Sequence, residues 1–137
     1  MKLWSVLFSL FMLAAVSCVR DHKCDCTPPP AQETKWKMSR IYGGFAGTEV
    51  AMNDAQRNAL LTLKPNGTYI CRNTVTGDST TGTLSISTSS SNVLYTFSPM
   101  LPVYPAPTFI VIAATNGMMT LSDGNPDGYW IDFLYQP

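Results

Sequence analysis

From Trp36 to the end of the chain, short β-prone runs alternate with clusters of Gly, Pro, Asn, Asp and Ser, and this punctuation leaves no room for a long helix. The runs fall at 36–42, 59–64, 68–74, 81–88, 93–98, 108–115, 118–122 and 129–136. Asn66-Gly67 and Asn116-Gly117 mark the sharpest hairpins, because both residue types tolerate positive φ. Between the first two runs, Gly43-Gly44-Phe45-Ala46-Gly47 opens a polar loop, in which residues 53–58 can make one helical turn capped by Asn53. Alternation predicts one buried face per strand, as for Leu61 and Leu63, Leu84 and Ile86, or Val93, Tyr95 and Phe97. The run 108–115 is apolar on both faces, so its outer face needs a cover. Successive hairpins predict an all-β, antiparallel, up-and-down arrangement of eight strands. Closure into a small barrel would remove the exposed edges; an open sandwich of the same strands is the alternative.

This domain, expected over 35–137, is preceded by a different kind of sequence. Residues 1–17 read as a signal peptide: Lys2 is the lone cation, thirteen of the seventeen residues are apolar, and the run is shorter than the ~20 residues that span a bilayer. It closes on Ala15-Val16-Ser17-Cys18, which resembles the lipobox of bacterial lipoproteins. That resemblance implies a diacylglycerol thioether on Cys18 and an N-acyl chain such as palmitate, with Cys18 as the mature N-terminus anchored in a membrane. Ala15 and Ser17 also satisfy an ordinary signal peptidase, which would give a soluble secreted protein. Residues 18–34 then form a lipidated cysteine and a flexible tether. The run Pro28-Pro29-Pro30 favours polyproline II, so the tether reaches roughly 50 Å at ~3.1 Å per residue.

Nine Lys and Arg offset nine Asp and Glu, which excludes the cation surplus that nucleic-acid binding needs. The zero balance is unevenly laid out, however. Every cation lies at or before Arg72, so residues 73–137 carry Asp78, Asp123, Asp127 and Asp132 and no partner for them in sequence. In a closed barrel the first strand meets the last, which brings Lys37 or Arg40 near Asp132. The outcome is either modest surface pairing or a polarised surface that steers a charged partner.

No catalytic constellation is apparent. His22, the single histidine, lies in the tether, Cys71 has no nearby His, and there is no Gly-x-Ser-x-Gly elbow, so neither enzymatic activity nor a cofactor is expected. His22, Cys24 and Cys26 could hold a metal or a redox couple, but no second ligand cluster follows; exposed thiols or a staple to Cys71 is the plainer reading. Asp123, Asn125 and Asp127 fit the opening of a calcium loop, whose twelfth position would here be Leu134 in place of the bidentate Glu. A hairpin turn is again the plainer reading, and no metal site is assigned. The proline-stiffened loop 99–107 is apolar at Met100, Leu101, Val103 and Tyr104, and either gates a pocket or touches a partner, or else folds over one barrel end as a plug. Twelve of residues 74–91 are Ser or Thr, which gives a wet outer face.

Trp36 opening the first strand, Gly43-Gly44-Phe45-Ala46-Gly47 after it, and the hairpin Leu61-Thr62-Leu63-Lys64-Pro65-Asn66-Gly67-Thr68-Tyr69 together resemble the lipocalin-like lipoproteins of Gram-negative bacteria. The resemblance covers about residues 35–136 and implies a calycin-like barrel, with ligand binding in its mouth. Thr34 stands where true lipocalins carry Gly, and no late cation is available to cover the indole. The expected function is therefore a non-catalytic binding role for a lipid-anchored protein of the bacterial cell envelope, on the periplasmic face or the outer surface of the outer membrane. A small apolar or amphipathic ligand would contact Tyr95, Phe97, Met100, Tyr104, Tyr129 and Phe133. The alternative is a protein–protein interaction or structural subunit of an envelope assembly, with a filled barrel.

Overall fold

Pro65 fixes φ one residue ahead of Asn66-Gly67, and in the computed structural model only Gly67 of this turn adopts positive φ, at 74°. The turn is a three-residue loop with Gly in the left-handed position, closed by Gly67 N–H donating to the Lys64 carbonyl at 3.1 Å. The structure describes residues 30–44, 46–115 and 117–137. The expected signal peptide, Cys18, His22, Cys24, Cys26 and most of the tether lie outside these residues.

The chain forms β1 (Thr34–Gly43), β2 (Thr48–Val50), α1 (Asp54–Arg57), β3 (Ala59–Leu63), β4 (Thr68–Asn73), β5 (Ser79–Ser89), β6 (Asn92–Ser98), β7 (Thr108–Thr115), β8 (Met118–Ser122) and β9 (Tyr129–Gln136). From β3 to β9 every strand pairs antiparallel with its sequence neighbour, and β1 joins β3 on one edge and β9 on the other. The result is a closed antiparallel eight-stranded barrel, in keeping with a lipocalin-like fold; the open sandwich is not formed. The short β2 is an addition that sequence reading missed. It pairs with Ile41–Gly43 beyond the point where β3 leaves β1, so it covers an edge the barrel would otherwise expose.

Two irregularities re-aim side chains. The β1–β9 register shifts between Met38 and Arg40, and the β7–β8 register shifts between Val111 and Ala113. The second shift leaves Ile112 as the extra residue, 58% exposed. Inside, Met38, Leu61, Tyr69, Phe97, Phe109, Met119, Leu121, Ile131 and Phe133 are fully buried. Edge-on aromatic contacts link Tyr69, Phe97 and Phe109, with centroids 5.1 and 5.9 Å apart. Side chains occupy the barrel interior, as eight strands of this size permit.

The two ends differ. Tight turns β3–β4, β5–β6 and β7–β8 lie at one end, together with the start of β1 and the finish of β9. All longer connections, including α1 and the proline loop, lie at the other.

Candidate functional site

At the loop-bearing end the proline loop turns inward. Leu101 is 2% exposed and Val103 9% exposed, and both belong to the hydrophobic core. The loop thus packs onto the core as a plug. Three anchors hold it. The Tyr69 hydroxyl donates to the Pro99 carbonyl. Gln56 Nε2 donates to the Val103 carbonyl at 3.0 Å. The Tyr104 ring tilts against Phe109 with centroids 5.9 Å apart. The first anchor depends on Gly82, because a Cβ there would meet Tyr69, Pro99 and the Ser98 carbonyl. The second depends on the cap that the sequence predicts. Asn53 accepts from Gln56 N–H at 2.9 Å while the Gln56 side chain accepts from Asn53 N–H at 2.9 Å, a reciprocal capping box.

A polar joint lies beside the plug. The Tyr104 hydroxyl donates to Asp123 Oδ2 at 2.9 Å, and Asp123 Oδ1 accepts from Asn125 N–H at 3.1 Å. Burial alone would raise the Asp123 carboxyl, but hydrogen bonds from Asn125, the Tyr104 hydroxyl and the Tyr129 backbone outweigh it and hold the group below its ordinary value. Burial, then the bond to Asp123 and its charge, push the Tyr104 phenol well above its ordinary value. The residues singled out as a calcium loop thus make a hydrogen-bonded turn, with Gly128 N–H donating to the Asn125 carbonyl at 3.0 Å. Among the described residues no three His, Cys, Asp or Glu side chains cluster to hold a cation.

The expected ligand-contacting residues separate into two groups. Tyr104 and Tyr129 meet at the loop end with centroids 5.6 Å apart, and Met100 is exposed on the same loop as Tyr104. Phe97 and Phe133 are 1% exposed within the core, and half-buried Tyr95 packs edge-on against Phe97 at 6.4 Å. Sequence reading missed a cleft of about 220 Å³, lined by buried Ala59, Cys71 and Val103 together with Arg72, Asp78 and Thr80. It is smaller than the ~300 Å³ at which small-molecule sites begin. Cys71 is buried and unpaired by any disulfide among the described residues, and burial pushes its thiol up to about 11, which makes it inert at neutral pH.

On the outer wall, closure pairs Arg40 with Asp132, as the charge layout predicts. Arg40 Nε lies 3.9 Å from Asp132 Oδ2, and Thr120 Oγ1 donates to Asp132 Oδ1 at 2.7 Å. No protein-family model matches the chain, and neither a curated protein nor a solved structure matches it.

Proposed function

We propose that this chain is a lipid-anchored protein of the bacterial cell envelope, of the lipocalin-like kind, that acts without catalysis as a protein-binding module. The observation that carries this reading is the filled barrel: Phe97, Ile131 and Phe133 are fully buried inside it, and Leu101 and Val103 of the loop at its far end join the same buried core. An apolar ligand inside the barrel would need a chamber among Tyr95, Phe97 and Phe133, yet Tyr95 packs on Phe97 and both phenylalanines are 1% exposed. The plug instead supports a rigid outer surface. Its exposed Met100, with Tyr129 beside Tyr104, gives a partner apolar and aromatic contacts on a fixed base. Anchorage rests on the lipobox-like run ending at Cys18.

Two measurements on protein from native membranes test the proposal. A photoreactive residue at position 100 should yield one discrete protein adduct, lost on Tyr129→Ala. Intact mass spectrometry should give Cys18 carrying acyl chains and no retained small molecule. A stoichiometric apolar molecule that stays with the folded barrel would overturn the binding reading, and an unmodified Cys18 would overturn the anchor.

A further inference from the structure

The outer wall near the end of the barrel where β1 begins is basic. On the outer wall, Lys35 stands in register with Thr62 and then Ile70, and Lys37 with Leu60 and then Arg72. Lys35, Lys64 and Arg72 border a groove of about 470 Å³ that runs along this wall past Leu60 and Ile70 to Gly77 in the β4–β5 connection, and Lys37 lies outside it, beside Leu134. Among the described residues, Lys35, Lys37, Lys64 and Arg72 make no ion pair, and Glu33 is the one acid lining the groove. Lys35 and Lys37 stand two residues apart on one face of β1, and Lys37 and Arg72 two strands apart across Leu60; unpaired cations gathered this way repel one another, a cost that a partner of opposite charge removes.

A second observation meets the first at the same corner. Across the β1–β9 seam, Lys37 pairs with Leu134 and Trp36 with Tyr135. Leu134 is 44% exposed and Tyr135 42% exposed. The Tyr135 ring stands edge-on to Trp36 with centroids 5.5 Å apart, so it is held at the barrel rim. Flexible lysines around fixed apolar and aromatic side chains match a bilayer interface: the ammonium groups reach lipid phosphates, and a tyrosine ring suits the headgroup level. The chain also enters the barrel here, at Thr34 beside Lys35, while every long loop lies at the opposite end.

We infer that the hairpin-bearing end, through Lys35, Lys37, Lys64, Leu134 and Tyr135, docks on an anionic phospholipid surface. The direction of approach rests on the anchored reading; the charge and apolar match does not. Docking at this end turns the plugged end outward, toward a protein partner.

The test uses the mature chain, residues 18–137, with Cys18→Ala, which lacks both the apolar run 1–17 and acylation at position 18 and so separates docking from anchoring. It should co-sediment with phosphatidylcholine vesicles containing about a third phosphatidylglycerol and not with pure phosphatidylcholine. Each of K35Q, K37Q and K64Q should weaken partitioning about fivefold, and Arg40→Gln, away from the corner, should leave it nearly unchanged. Leu134→Ala with Tyr135→Ala should weaken it further without altering the salt dependence. All these side chains are exposed or half-exposed, and circular dichroism reports that the fold is kept. Equal binding to both vesicle types, no binding, or an undiminished triple lysine variant would refute the inference. So would a lysine-dependent dimer without vesicles, which would assign the corner to a second copy of the chain.

Discussion

Asp132 sits on the outer wall yet is 7% exposed, between its register partners Arg40 on β1 and Thr120 on β8. Its two partners are unequal. Thr120 gives a short hydrogen bond at 2.7 Å to a carboxylate, whereas the half-exposed Arg40 stands at 3.9 Å. Losing the first should cost about 1–3 kcal/mol and losing the second ~0–1 kcal/mol. Asp132→Ala should therefore lower the denaturant midpoint clearly, and Arg40→Ala barely, in parallel urea titrations. Equal losses would mean that the ion pair, not the hydrogen bond, holds the residue. Asp123 gives a prediction in pH. Its carboxyl is depressed in the folded chain, so its contribution is present above the ordinary value of about 4 and is lost as pH falls through the folded value. Tyr104→Phe removes one of the bonds that depress it. The Asp123 carboxyl resonance should then titrate at higher pH, and the loss of stability between neutral and acid pH should shrink. At pH 7 the variant should be about 1 kcal/mol less stable.

At the scale of elements, the β5–β6 turn departs from the residues its geometry prefers. Ser89 pairs with Asn92, so Ser90 and Ser91 form a two-residue loop, and both take positive φ, 48° and 73°. Such a turn favours Asn-Gly, since an L-residue with a Cβ is strained there by roughly 1–2 kcal/mol. Ser91→Gly should raise the melting temperature by a few degrees, the shift that ~1 kcal/mol produces in a domain of this size. This turn also marks the limit of what was legible. The run Ser89–Asn92 predicts a turn but not its handedness, because four small polar residues leave that choice to the twist of the flanking strands. Strand existence was more legible, since alternation and Gly or Pro boundaries both act locally. The expected runs 108–115, 118–122 and 129–136 coincide with β7, β8 and β9. β2 was not legible: Thr48-Glu49-Val50 has no apolar period, and it is a strand because the β1 edge beside it is free.

For the whole molecule, closure and plugging are long-range events, which explains why the candidate site was only half readable. Loop 99–107 shows its apolar character in sequence, but whether Leu101 points in or out depends on Tyr69 and Gln56 reaching the Pro99 and Val103 carbonyls on either side of it from distant elements. Likewise, Tyr95, Phe97 and Phe133 read equally well as ligand contacts or as core. Volume decides between them, and volume is a property of the closed barrel. It can be altered deliberately. Phe97 touches Tyr69, Tyr95 and Phe109 and lies at the centre of the aromatic cluster. Phe97→Ala should cost about 3–5 kcal/mol, because neighbouring strands joined in a ring cannot collapse fully into the space. The space left would be apolar and dry, and such cavities take up small aromatic molecules. Benzene should therefore raise the melting temperature of Phe97→Ala in proportion to the logarithm of its concentration, and leave the natural chain unaffected. Stabilisation of the natural chain by benzene would reveal an interior already open to ligands. It would return the barrel from a plugged scaffold to a container.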